Sequence, residues 1–110
     1  MDAFYALAEP QRRKVVEILA YRGQLSATEI SDEFDVTPQA ISQHLRVLRE
    51  AKVIQMERRA QQRIYALNPK STFEVERWAA TMTEMWNSRF DRLDNALKEG
   101  QDSTARRKDR

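Results

Sequence analysis

The segment 26–51, SATEISDEFDVTPQAISQHLRVLREA, constrains the fold more than any other part of the chain. Ser26 with Glu29 three residues later is a capping-box pattern, which starts a helix by satisfying its first free backbone N–H groups. After a short polar turn, Thr37 and Pro38 start a second helix, because Thr caps helices well and proline at the first helical position loses no hydrogen bond. Two short helices joined by a tight turn are typical of a helix-turn-helix motif.

The second helix of this motif has two chemically different faces. Helical periodicity places Ile41, Leu45 and Leu48 on one face, which indicates the side that packs against the core. The opposite face begins at the helix N-terminus and carries amide, hydroxyl and guanidinium groups. Gln can pair with adenine, Arg with guanine, and Ser with a base edge or a phosphate. On this helix we therefore expect DNA contacts from Thr37, Gln39, Ser42, Gln43, Arg46 and Arg49.

Two other interpretations apply to this helix. An ordinary solvated face would also be polar, and it would be preferred for an amphipathic helix without the preceding capped helix and turn. His44 falls beside the core face, so a packed, hydrogen-bonded role is preferred for it over a contact to DNA.

The charge distribution favours nucleic acid. The formal net charge is only +2, but it is divided unevenly along the chain. Residues 26–36 carry four acids and no base, and residues 37–70 carry seven bases against two acids. Residues 71–100 carry four bases against six acids. A basic patch confined to the second motif helix and the segment after it is the footprint expected of a nucleic-acid surface.

A β-hairpin is predicted directly after the motif. Residues 53–57 and 63–67 are β-prone and partly alternating, and residues 58–62 between them form a polar tip. Such a hairpin following a recognition helix is a wing, although an ordinary charged hairpin end is the alternative. We expect the wing to contact phosphates or the minor groove through Arg58, Arg59 and Arg63.

Helices are predicted on both sides of this region. Met1–Ala8 forms a short helix, and a second one starts at Pro10 and stops at Gly23. The last helix covers residues 71–99 and would extend roughly 40 Å, whereas a 100-residue globule has a radius of gyration of about 13 Å. Its apolar stripe would overhang its own domain, so a second copy of the chain is the simplest cover. A ligand pocket lined by Trp78, Met82 and Trp86 is the alternative.

Length and composition set the remaining expectations. A chain of 110 residues suits one domain, expected over residues 1–99, with a disordered polar tail over 100–110. The chain has no cysteine and one histidine, which leaves no thiolate or multi-histidine metal site and predicts no cofactor. No nucleophile–base pair or carboxylate pair has supporting context, so an enzyme is not expected. The absence of a long apolar run and of a signal-peptide pattern predicts a cytoplasmic protein.

A family resemblance rests on two stretches, FYALAEPQRRKVVEILA and LSATEISDEFDVTPQAISQHLRVLREAKVIQMERRAQQRIYALNP. They resemble the ArsR (arsenical-resistance repressor) family of bacterial winged-helix regulators over about residues 3–69. The resemblance implies a mostly α fold with a two-stranded wing and a long C-terminal dimerisation helix. It also implies a homodimer that binds an inverted-repeat operator, blocks transcription and regulates its own operon. With the first and last helices joining the two copies, the expected interface residues are Phe4, Leu7, Trp78, Met82, Trp86 and Leu93.

The sequence departs from the metal-sensing members of that family. They carry Cys-x-Cys where this chain has Ser26-Ala27-Thr28, and hydroxyls do not replace thiolates for soft metals. Other members place His ligands on the last helix, which has no His here. We therefore expect the metal-independent branch, with an unidentified effector ligand or protein. A repressor that responds to an apolar ligand and a winged helix used for protein–protein contact are the alternatives.

Overall fold

The computed structural model describes residues 2–108, except for the side chains of Thr72 and of residues 101–108. The chain divides into two compact units, Met1–Val75 and Glu76–Arg110. The helices of the described part are α1 (Ala3–Leu7), α2 (Pro10–Arg22), α3 (Ala27–Ser31), α4 (Pro38–Glu50) and α5 (Pro69–Lys108). Its strands are β1 (Leu25–Ser26), β2 (Ile54–Arg59) and β3 (Gln62–Leu67). The predicted fold class, mostly α with a hairpin wing, is confirmed.

Side chains cap each of the first four helices. The N-cap residues are Asp2, Glu9, Ser26 and Thr37, and each accepts a hydrogen bond from a backbone N–H in the first turn of its helix. The capping box predicted at the start of α3 is present, with the Ser26 N–H donating to Glu29 Oε1 at 2.9 Å. These backbone and side-chain hydrogen bonds from Ser26 hold the pKa of the Glu29 carboxyl below its ordinary value of 4.5. Local chemistry therefore fixes where these helices begin.

The hydrophobic core lies within the first unit and collects one face of each helix there. The predicted inward positions Ile41, Leu45 and Leu48 of α4 are buried, and so are Val15 and Leu19 of α2. Burial of such side chains is worth about 1.5–3 kcal/mol each relative to exposure. This core therefore supplies much of the free energy that holds the helix-turn-helix together.

The sheet has one strand more than the sequence analysis predicts. Strand β1 pairs antiparallel with β3, so the order is β1-β3-β2, with Leu25 opposite Tyr65 and Ser26 opposite Ile64. Two residues are too few to show a period of two, which is why the pattern does not reveal this strand. Ser26 belongs to the sheet and also caps α3, so the helix-turn-helix shares a residue with the sheet that contains the wing.

The end of α4 is fixed by a tight reversal. Lys52 has a φ of 61°, and the Val53 N–H donates to the Leu48 carbonyl at 2.9 Å. This is the Schellman motif, in which a residue in the left-handed region, usually glycine, ends a helix. The Lys52 carbonyl in turn accepts hydrogen bonds from the Asn68 side chain, at 2.9 Å, and from the Ser71 hydroxyl. The first turn of α5 is thereby tied to the end of α4.

The last helix is longer than predicted at both ends. Its backbone runs from Pro69 to Lys108, whereas the sequence analysis places it over residues 71–99. Gly100 lies inside the helix, because one glycine costs only about 1 kcal/mol there and the segment after it contains several good helix formers. The prediction of a domain over 1–99 with a disordered tail stays a prediction, and the boundary at Gly100 does not coincide with a helix end. Within the described residues, no helix is both long and apolar enough to cross a bilayer.

Candidate nucleic-acid interface

Helix α4 is built so that one side is buried and the other is open to solvent. Thr37 Oγ1 accepts the Ala40 N–H at 3.2 Å, and Pro38 is the first helical residue, as predicted. Ile41, Leu45 and Leu48 then pack into the core. Because these three side chains share one side of the helix, residues on the opposite side are directed outward.

The outward side brings the predicted helix contacts together. Residues Gln39, Ser42, Gln43 and Arg46, with Pro38, line one open groove. Thr37 at the helix start and Arg49 toward its end are also exposed. We call the set Gln39, Ser42, Gln43, Arg46 and Arg49 the polar arc. Its amide, hydroxyl and guanidinium groups match the donor and acceptor edges that bases present in the major groove.

One acid lies next to the polar arc, which the sequence analysis does not anticipate. Arg46 Nε donates to Glu50 Oε1 at 3.1 Å, and both side chains are largely exposed. Exposed pairs four residues apart on a helix are worth only about 0.3–0.5 kcal/mol. Arg46 can therefore leave Glu50 at little cost when an anion or a base edge offers better hydrogen bonds.

His44 lies on the other side of α4. Its side chain is 16% exposed, and its Nδ1 is 3.8 Å from Glu9 Oε2. Its Nε2 lies 2.8 Å from Oε1 of Gln11. The structure thus places His44 against α2, in the packed and hydrogen-bonded position that the sequence analysis prefers.

The wing is a hairpin with a two-residue turn, Ala60-Gln61, and not the five-residue tip predicted over 58–62. The polarity of the arginines favours a loop in the sequence pattern, whereas strand pairing continues to Arg59 and Gln62. Ala60 has a φ of 54°, where glycine is the usual residue. The predicted wing contacts therefore lie on strands, which gives them fixed positions on the two faces of the hairpin.

The strand register separates the three predicted wing arginines. Arg58 and Arg63 are directly opposite each other, on the face that also carries Met56 and Tyr65. Arg59 lies on the other face and donates through Nη2 to Glu57 Oε2 at 3.4 Å. Like charges directly opposite each other destabilise a sheet, so the Arg58–Arg63 pair is unfavourable unless an anion lies between them.

The predicted interface residues fall in different environments. In the first unit, Phe4 is partly exposed and Leu7 packs against the core. In the second unit, Trp78, Met82, Trp86 and Leu93 of α5 are all exposed, from 40% for Met82 to 66% for Trp86. Met85, Phe90 and Leu97 are exposed as well. The described surface of α5 is therefore unusually apolar for a solvated helix.

Among the residues that the structure describes, no group of three or more His, Asp or Glu side chains is arranged to hold a metal ion. Independence from metal stays a prediction.

The chain has a helix-turn-helix, α3 and α4, followed by the β2–β3 hairpin, and this is the winged helix-turn-helix fold. The fold is that of a DNA-binding regulator. A family model described as a helix-turn-helix domain matches residues 7–57. The transcriptional repressor SdpR of Bacillus subtilis is 36% identical over 67 residues, which are 61% of this chain and 73% of that protein. The regulator Rv2034 of Mycobacterium tuberculosis is 39% identical over 67 residues, 61% of this chain and 62% of that protein.

Solved structures agree with these relatives. A crystal structure described as an ArsR family transcriptional regulator superposes with a TM-score of 0.69 at 30% identity, covering 77% of this chain and 87% of that one. The chain therefore belongs to the ArsR family of winged helix-turn-helix transcriptional regulators. These relatives are regulators of transcription and not enzymes, which confirms the corresponding prediction.

Proposed function

We propose that this chain is a homodimeric repressor that recognises an inverted-repeat operator through the polar arc of α4. The observation that carries the proposal is the orientation of α4. Its apolar side is buried in the core, and amide and hydroxyl groups face outward from its N-terminal half, followed by the guanidinium groups of Arg46 and Arg49. The N-terminal part of a recognition helix is the part that contacts base edges in the major groove.

Within the polar arc, we assign direct readout to the residues nearest the helix N-terminus. Gln39 and Gln43 are one helical turn apart and can each bind an adenine edge through two hydrogen bonds. Ser42 lies beside Gln43, and its hydroxyl suits a base or a phosphate. Arg46 and Arg49 are placed farther along, where a guanidinium group binds guanine or the sugar–phosphate backbone. Thr37, at the start of the helix, is assigned a contact to the sugar–phosphate backbone of the DNA.

The wing supplies phosphate contacts in this proposal. The register sets Arg58 and Arg63 side by side on one face of the hairpin, so two guanidinium groups repel each other in the free protein. A phosphate between them removes that repulsion and accepts hydrogen bonds from both. Arg59, on the other face, is already paired with Glu57 and contributes less.

Dimerisation is proposed through the exposed apolar residues of α5. Trp78, Met82, Trp86 and Leu93 follow one another at helical spacing, and each is at least two-fifths exposed in the single chain. Burying such residues against a second copy removes the largest apolar surface of the second unit from water. Phe4 and Leu7 of α1 are proposed to join the same interface. A symmetric dimer then presents two copies of α4 to two half-sites.

Regulation in this proposal does not use a metal ion. Zinc requires about four ligands drawn mainly from Cys, His and carboxylate groups, and the chain provides no Cys and one His. That His is already engaged with α2. Release from DNA then depends on a partner protein, an apolar effector or a fall in repressor concentration.

Selection from a randomised DNA library tests the proposal. Duplexes retained by the purified wild-type protein should converge on an inverted repeat whose half-site centres lie about 10 base pairs, or a multiple, apart. Sedimentation of the complex should give two chains per duplex. A library that shows no enrichment, or a single unrepeated site bound by one chain, would contradict the proposal.

A further inference from the structure

His44 cannot share the contacts of the polar arc. It is two residues from Arg46, which separates the two side chains by about 200° around the helix. Only 16% of its side chain is exposed. The imidazole therefore faces the interior of the first unit while the polar arc faces outward.

The partners of His44 belong to the beginning of α2. Gln11 Oε1 lies 2.8 Å from His44 Nε2, so with the ring N–H on that nitrogen the imidazole donates to the amide oxygen. Glu9 Oε2 is 3.8 Å from His44 Nδ1, which is close for a charge but too long for a hydrogen bond. These contacts join the middle of α4 to residues 33 and 35 positions earlier in the chain.

This end of α2 is itself held firmly. Glu9 Oε2 also accepts the Arg12 N–H at 2.9 Å, which caps α2. Arg12 Nε donates to the Ala6 carbonyl at 2.8 Å, and its guanidinium lies over the Tyr5 ring. Because these contacts hold the start of α2 against α1, the residues that His44 contacts have a defined position.

A directional contact matters because the other contacts of α4 are mainly apolar. Ile41, Leu45 and Leu48 hold the helix in the core, but hydrophobic burial has no preferred direction. A rotation of about 10° moves a side-chain end that lies about 5–6 Å from the helix axis by about 1 Å. Such a displacement is enough to lose a hydrogen bond, whose donor–acceptor distance varies by only about 0.5 Å.

We propose that His44 is a positioning residue for DNA recognition. Its hydrogen bond to Gln11, beside the Glu9 carboxylate, fixes the rotation of α4 on α2 and thereby the alignment of the polar arc with the operator. His44 does this without touching DNA. The inference rests on the proposed readout of DNA by the polar arc.

A double-mutant cycle between His44 and Gln11 tests the inference. The variants are His44→Asn, Gln11→Ala and the double variant, and the probe is a duplex selected from the randomised library by the wild-type protein. Each single change should weaken binding roughly three- to tenfold, the range of one hydrogen bond. The double variant should bind no more weakly than either single variant. His44→Gln, which places an amide N–H near the former Nε2, should restore most of the affinity.

The salt dependence separates positioning from a direct phosphate contact. A residue that only positions α4 should leave the slope of log affinity against log salt unchanged, whereas loss of a phosphate contact lowers it by about 0.9. Additive losses in the cycle, or a reduced slope for His44→Asn, would overturn the inference. Gln11→Ala removes a single partly buried side chain near a helix start. Denaturant titration of every variant shows which of them are folded under the binding conditions, and only the affinities of folded variants are compared.

Failure of the inference and failure of the proposed function give different results. If the wild-type protein prefers the selected duplex but the cycle is additive, only the positioning role is wrong. If the wild-type protein shows no preference over random duplex, the readout by the polar arc is wrong as well.

Discussion

Replacing Leu93 by glutamate should dissociate the proposed dimer. Leu93 lies in the apolar stripe of α5 and is 59% exposed in the single chain. In a symmetric interface both copies lose the same side chain, so the effect of one substitution is counted twice. The change also places a carboxylate where the partner presents apolar groups.

The expected magnitude follows from the exposed fraction. Complete burial of a leucine side chain is worth about 1.5–3 kcal/mol, so covering the exposed part is worth about 1–2 kcal/mol per copy. Two copies give about 2–4 kcal/mol, which is roughly a 30- to 1,000-fold rise in the dimer dissociation constant. Desolvation of the new carboxylates adds to this value, so it is a lower bound.

Analytical ultracentrifugation across a concentration series measures this change directly. The wild-type chain should sediment as a dimer at micromolar concentration, and Leu93→Glu should sediment as a monomer there. Ser88→Glu is the matched control, because it adds the same charge to the same helix about 140° away from the position of Leu93. Equal dissociation by both variants, or a monomeric wild-type chain, would refute the reasoning.

Three further predictions concern the wing, the capping box and metals. Arg58→Ala and Arg63→Ala should each weaken binding to operator and random duplex alike, and the double variant should lower the salt slope by about 0.9, because the two arginines share one phosphate, whereas Arg59→Ala should have the smaller effect in electrophoretic titrations. The free energy of unfolding of the wild-type chain should exceed that of Glu29→Gln at neutral pH. The folded-state pKa of Glu29 lies below its ordinary 4.5, so this difference in the free energy of unfolding should be fully present above pH 4.5. It should vanish as the pH falls through the lowered pKa, which denaturant titration at a series of pH values measures. Excess zinc or a chelator should change operator affinity by less than about tenfold, and a larger shift abolished by replacing acids of α5 would contradict this prediction.

Much of the fold was predictable because its determinants are local. Ser26 and Thr37 are followed at the right spacing by the residues that complete their caps, so the starts of α3 and α4 appear in the sequence. The inward face of α4 was equally readable, since Ile41, Leu45 and Leu48 recur at helical spacing. These features depend on neighbours within about four residues.

The missed features depend on residues far apart in the chain. Strand β1 exists only through its pairing with β3, which lies 40 residues away at the Leu25–Tyr65 pair. The hairpin turn was placed incorrectly because polarity marks both loops and exposed strands, and the register between Arg58 and Arg63 is set by the pairing itself. Similarly, the partners of His44 come from another helix and leave no local pattern.

The polar arc was predictable as a set but not in its detail. Periodicity placed Gln39, Ser42, Gln43 and Arg46 on one side, and the structure has them lining one groove. The ion pair between Arg46 and Glu50 has a signal in the sequence, because opposite charges four residues apart on a helix are neighbours. Its energetic effect is small, so the predicted chemistry of the surface is unchanged.

The most direct measurement of DNA recognition by α4 is the ratio of affinities for the selected duplex and a random duplex in Gln43→Ala. The variant should lose about 1–3 kcal/mol on the selected duplex, or roughly 5- to 150-fold, and little on random DNA, because the amide contacts a base. Gln24→Ala, which removes an exposed glutamine outside α4, should leave both affinities unchanged. Equal losses on both duplexes for Gln43→Ala, or no loss on either, would contradict the assignment of α4 as the helix that reads the operator.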